Sequence, residues 1–289
     1  MLPLNIEDLT DDNWGTLLKA TQKTQMPVVR RAYKKWKSKR NNDEYITEIK
    51  WMLINRRRQQ FFTLREYAGD FFKGLDSLKY HNKSEIFYYY NELQKKDTYI
   101  EQFEQCPQIS VTDDINDIRK FFIELFFEIA KSSESGTNFD YIQPLIPRAD
   151  SLIKDLEKIF DIRNSGTISD IFDAKKMTVI QLAYVNMGTR ELLPSLLSEL
   201  IFQEANETKA EQPKKITAIV VDEAHNILSY DPNKSDLIHD NTLRVFEKII
   251  KEGRKFGVFL YISSQRPSDI SETISSQIHN YFIHKQSKQ

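Results

Sequence analysis

The run Ile219-Val220-Val221-Asp222-Glu223-Ala224-His225 passes from apolar residues straight into two adjacent carboxylates. It reads as a strand with acids at its C-terminal tip, and open α/β sheets place their ligands at that edge. There Asp222 can hold the water shell of a Mg2+ ion bound to nucleotide phosphates. Glu223, projecting the other way, can polarise a water for attack on a γ-phosphate. The plainer alternative makes Asp222 a helix cap and leaves Glu223 in solvent. Further on, Gly257-Val258-Phe259-Leu260-Tyr261-Ile262-Ser263 leads into Ser264-Gln265-Arg266-Pro267-Ser268, a second strand with a polar tip. An amide at Gln265 can sense the γ-phosphate or orient the water; standing alone it would be an ordinary loop residue. Between the strands, Glu252-Gly253-Arg254-Lys255-Phe256-Gly257 puts a guanidinium near a helix end. Arg254 can reach a neighbouring subunit's nucleotide from there, or simply complement the helix dipole.

These residues need a scaffold, and the hydrophobic pattern supplies one. After Met177 short β-branched runs, Thr178 to Leu182, Thr217 to Val221, Gly257 to Ser263 and a possible Tyr281 to His284, alternate with helical segments. The helical segments carry Leu192, Leu196, Leu197, Leu200 and Ile201, then Leu243, Phe246, Ile249 and Ile250. Continuous apolar strands alternating with helices predict an α/β fold, a parallel sheet covered on both faces. Up to about residue 170 the period is helical. Ile115, Ile118, Phe121, Phe122, Leu125, Phe126 and Ile129 form one apolar stripe, with Asp113 as a candidate N-cap and Gly136 beyond the end. Leu152, Ile153, Leu156, Ile159 and Phe160 form another, up to an Asn164-Ser165-Gly166 turn, and Pro27 suits a first helical turn before Val28. Residues 1–170 are thus expected to be an all-α bundle, and 171–289 the α/β part.

Together, Ile219 to Asn226, Glu252 to Gly257 and Ser263-Ser264-Gln265-Arg266-Pro267-Ser268-Asp269-Ile270 resemble the HerA/FtsK superfamily of P-loop ATPases, specifically HerA-like members. The order, the spacing and the Gln-Arg-Pro-Ser tip all match. The resemblance implies a partial RecA-like core over 171–289, preceded by a helical insertion. It implies that Asp222 is the Walker B magnesium residue, Glu223 the catalytic base, Gln265 the polar sensor and Arg254 a trans-acting arginine finger. It further implies ATP and Mg2+ as cofactors and a hexameric ring pulling double-stranded DNA. A nuclease or other effector is the expected partner, in DNA end processing or phage defence.

The phosphate-cradling loop of that family, G-x-x-x-x-G-K-[ST], is not in the sequence. The chain has 8 glycines, and the one pair with the spacing, Gly69 and Gly74, continues into Leu75-Asp76. The expectation is a fragment, the C-terminal part of a motor, which does not hydrolyse ATP alone and whose sheet neighbours are left with open edges. The alternative is an inactive module for partner binding or oligomerisation. A two-lobed helicase reading of Asp222-Glu223-Ala224-His225 needs a second lobe, for which little sequence follows Ser263.

Composition bounds the rest. The 289 residues are 40% hydrophobic and 29% charged, a globular balance, and 41 cations against 42 acids exclude a globally basic coat protein. Cys106 is the single cysteine, so there is no internal disulfide; with no signal peptide and no long apolar run, a cytoplasmic protein off the membrane is expected. Residues 13–42 lack acids, and Lys34, Lys35, Lys37 and Lys39 with Tyr33 and Trp36 are a candidate DNA contact, or else a solvated face over a core Trp36. The histidines show no zinc spacing, and Phe87 to Tyr90 reads as packing between helices.

Overall fold

The computed structural model describes residues 6–112, 115–133, 137–159, 177–182, 187–207, 216–229 and 237–284. Asp113, Gly136, Phe160 and the Asn164 to Gly166 turn lie outside them. The chain divides into two compact units, one over 9–163 and one over 2–8 and 164–289. Among the described residues no helix is long and apolar enough to cross a membrane.

The first unit opens with α1 (Asp11–Leu17), α2 (Met26–Lys37), α3 (Asn42–Ile54) and α4 (Arg58–Ala68). Thr10 and Asn41 close capping boxes on α1 and α3, each satisfying free first-turn amides. Pro27 sits in the first turn of α2, as its fixed φ favours. The long α5 (Asp117–Ser132) begins at Asn116, whose side chain accepts the Arg119 amide at 2.9 Å; the cap is therefore Asn116 and not Asp113. α6 (Thr137–Ile142) and α7 (Leu145–Ile159) complete the helices. The core is aromatic: Trp14 stacks on Phe121 with centroids 3.8 Å apart, and the Trp36 ring meets both edge-on.

Two expectations for this unit need correcting. It is not all-α. β1 (Phe72–Lys73) pairs with β5 (Ser110–Val111), and β2 (Lys79–His81), β3 (Ile86–Asn91) and β4 (Lys96–Tyr99) form an antiparallel meander. The aromatic run Phe87 to Tyr90 is the centre of that meander, because aromatic side chains suit a pleated, half-buried surface and the polar stretches on either side turn the chain. Phe87 packs inward on Phe61 and Tyr80, while Tyr90 faces water. Nor does α5 carry only one apolar stripe. Glu124 and Glu128 are buried with it, and cations from α2 and the following turn reach them: Arg31 and Lys35 meet Glu128 at 2.8 and 2.7 Å, and Arg40 meets Glu124 at 3.1 Å.

In the second unit α8 (Met187–Glu207) precedes β6 (Thr217–Val221), and α9 (Leu237–Phe256) links β6 to β7 (Val258–Ile262); α10 (Glu272–Ser275) follows. The two strands are parallel, in register from Thr217 opposite Val258 to Val221 opposite Ile262. Residues 177–182 and 281–284 form no strand here, contrary to the reading of their β-branched runs. Phe282 and Ile283 are almost wholly exposed. Among the described residues, helices pack on one face of the pair. Ile219, Val221, Leu260 and Ile262 pack on Leu243, Phe246 and Ile274, whereas Ala218, Val220, Phe259 and Tyr261 face out. Val220, a core-type residue, is 70% exposed.

Candidate functional site

The C-terminal tips of β6 and β7 lie side by side because the strands are parallel and in register. The ladder runs past the strand ends: the Ser263 amide donates to Val221 O and the Ala224 amide to Ser263 O, both at 2.9 Å. Asp222 and Glu223 therefore leave β6 at the point where Ser264 and Gln265 leave β7. The Gln265 Nε2 donates to Glu223 Oε1 at 2.7 Å, so the structure brings this carboxylate and amide together at one edge. Asp222 is exposed, and its Oδ1 accepts the Glu223 amide at 3.0 Å.

Glu223 stands at φ 48°, ψ 45°, a left-handed position that costs a non-glycine residue of order 1 kcal/mol. That turn swings its side chain across to the β7 tip. Its Oε2 is buried and accepts no hydrogen bond, with His225 Nδ1 at 3.3 Å. The same ring nitrogen lies 3.2 Å from Ser264 Oγ, which in turn accepts the Arg266 amide at 3.0 Å. His225 and Ser264 were not singled out in the sequence, although both fall inside the matching segments. Only the strand register shows that they meet.

Asp222 suits a magnesium ion held through water. With Oδ1 taken by an amide, its remaining lone pairs face solvent. Among the described residues no cluster of three His, Cys, Asp or Glu side chains could ligate a metal directly. A single carboxylate acting together with phosphate oxygens is how Mg2+ is commonly held.

Arg254 is elsewhere. It is exposed in the last turn of α9, which leads into the N-terminal end of β7, the edge opposite Glu223 and Gln265. Within one chain it does not join the cluster. Of the four lysines, Lys35 is bound to Glu128 and Lys37 lies 5.1 Å above the Trp36 ring; Lys34, Lys37 and Lys39 are exposed. Trp36 itself is buried. Gly74, the second glycine of the near-match to a phosphate loop, has φ 94° beside β5, where a Cβ would stand 2.4 Å from Gln108 O. A backbone packing constraint accounts for that glycine.

No family model matches the chain. Curated proteins do. It is 29% identical over 173 residues to the DNA double-strand break repair helicase HerA of Sulfurisphaera tokodaii, covering 59% of this chain and 33% of that protein. The HerA of Sulfolobus acidocaldarius is 26% identical over 171 residues, 57% of this chain and 32% of the relative. That of Pyrococcus furiosus is 40% identical over 65 residues, 22% of this chain and 11% of the relative. These matches support a HerA-like relationship, and the chain spans about a third of the length of the first two relatives.

Proposed function

We propose that the second unit is the C-terminal part of an ATP-driven DNA motor of HerA type, acting on double-stranded DNA ends. The observation carrying this reading is the 2.7 Å contact between Gln265 and Glu223 at the C-terminal edge of a parallel strand pair. A base and an amide on neighbouring strand tips can face one γ-phosphate from two sides. In this reading Asp222 holds the water shell of Mg2+, which would supply charge neutralisation of the phosphates. Glu223 takes the proton of the attacking water, and Gln265 exchanges its carboxylate partner for the γ-phosphate. Glu223 is thereby released only when nucleotide is present. Arg254, on the opposite edge, acts across a subunit boundary in a ring, on the nucleotide of the neighbouring copy. Relatives named as DNA double-strand break repair helicases support a repair setting; in this reading the motor processes DNA ends beside a nuclease or effector, and phage defence is a second setting for it.

The phosphate loop has to come from other sequence. The purified 289-residue chain is expected to show no ATP turnover. Joined to a segment bearing G-x-x-x-x-G-K-[ST], it should gain Mg2+-dependent, DNA-stimulated turnover that Glu223→Gln removes. Turnover by the chain alone, surviving in Glu223→Gln, would refute the proposal. The uncovered sheet face of Val220 and Tyr261 also favours the partner-binding module, to which such a face would belong.

A further inference from the structure

The cations that the sequence offers between residues 30 and 40 are largely neutralised within the fold. Arg30 pairs with Asp11 and Asp12, Arg31 and Lys35 with Glu128, and Arg40 with Glu44, Glu48 and Glu124. The corner between α3 and α4 is the reverse case. Residues 49–65 contain no acid and carry Lys50, Arg56, Arg57, Arg58 and Arg65. Arg56 and Arg58 are exposed, and among the described residues neither meets a carboxylate. Helix electrostatics does not account for them all: Arg58 opens α4, where a cation opposes the helix dipole. Beside them Trp51 is 44% exposed, with the Arg57 guanidinium 5.6 Å from its ring centre, whereas Trp14 and Trp36 are buried. The Arg58 guanidinium lies 5.1 Å from the centre of the Tyr80 ring at the start of the meander.

We propose that the α3–α4 corner is a binding site for single-stranded DNA. Arg56 and Arg58 take successive phosphates, and Trp51 stacks on an unpaired base. Unpaired guanidinium groups match a polyanion, and an exposed indole flanked by a guanidinium offers the π-face that unstacked bases seek. The choice of DNA rests on the proposed function, which also accounts for the single strand: end processing exposes one. The site itself rests on the charge and aromatic arrangement.

The test is fluorescence anisotropy of a labelled oligothymidylate with the 289-residue chain across a salt series. Arg56 has φ 56°, which asparagine tolerates, so the variants are Arg56→Asn, Arg58→Gln, their combination and Trp51→Ala. Each arginine variant is expected to reduce the slope of log K against log salt by about 0.7, the single-strand value per phosphate. Trp51→Ala should weaken binding roughly 5- to 150-fold. Oligonucleotide should quench the emission of Trp51 in the native chain, while Lys34→Gln with Lys39→Gln leaves the slope unchanged. The proposal is overturned by absence of binding at low salt, by an unchanged slope in the double arginine variant, or by equal loss from the lysine variant. Duplex binding that is indifferent to Trp51→Ala would overturn it too. Thermal melts of the variants, all at exposed positions, keep a folding defect from imitating either outcome. Failure here leaves the ATPase proposal intact, since turnover tests that one.

Discussion

Glu223 is held in a left-handed conformation that glycine would occupy without strain. Glu223→Gly should therefore leave stability unchanged or raise it by up to about 1 kcal/mol, although it removes the contact with Gln265. A urea melt showing a loss of more than about 1 kcal/mol would mean that the contact stabilises the fold. The ionised core of the first unit makes a different prediction. Burial pushes the Glu128 carboxyl up, but hydrogen bonds from Lys35 and Arg31 overcome this and hold it below its ordinary value. Glu48 is lowered in the same way, with Lys131 and Arg40 outweighing burial. Both ionise more readily folded than unfolded. Their stabilisation is fully present above the ordinary carboxylate range and fades as pH falls through the folded values. Glu124 runs the other way: burial raises it, Arg40 opposes only in part, and its penalty grows as pH rises through its folded value. Glu128→Gln should cost about 1–2 kcal/mol at neutral pH, since its partner Arg31 is half exposed, and flatten the acid limb of a stability–pH curve. An unchanged limb would contradict the assignment. The acids at 222 and 223 were legible in sequence because they end an apolar run. Glu124 and Glu128 are not legible there, because their cations come from α2 and the turn after it, far away in sequence.

At the scale of elements, the strand tips meet only because α9 returns the chain to β7 in parallel register. Gly253 in the last turn of α9 permits this: a Cβ there would stand 2.4 Å from Val258 O. Alanine favours helix, yet Gly253→Ala is expected to destabilise the second unit by more than about 1 kcal/mol, because helix and strand must part. A chemical melt in which this variant equals or exceeds the native chain would show that the packing yields at no cost. Phe246, fully buried beneath the strands, should cost about 3–5 kcal/mol on replacement by alanine. Helix period and β-branched runs made α2, α5, α8, α9, β6 and β7 legible. The meander is not legible because its aromatic run lies within a region of helical period, and three short strands give little alternation to read. The β-branched runs at Thr178 and Tyr281 form no strand, since such a run becomes one only when a neighbour pairs with it.

At the scale of the molecule, among the described residues of the second unit, Val220, Phe259 and Tyr261 leave an apolar sheet face exposed. Replacing Val220 and Tyr261 with lysine should reduce self-association in light scattering while the melt stays within about 1 kcal/mol, because both side chains already face water. Scattering that is unchanged would mean the face is not adhesive. The relatives are about three times as long as the matched span. The central claim is that Gln265 and Glu223 act on one γ-phosphate. Its most direct test is Gln265→Ala in a polypeptide that includes this chain and a phosphate loop. DNA-stimulated ATP turnover should fall by about a hundredfold or more, with ATP binding kept within a few-fold. Turnover within about threefold of the parent would contradict it.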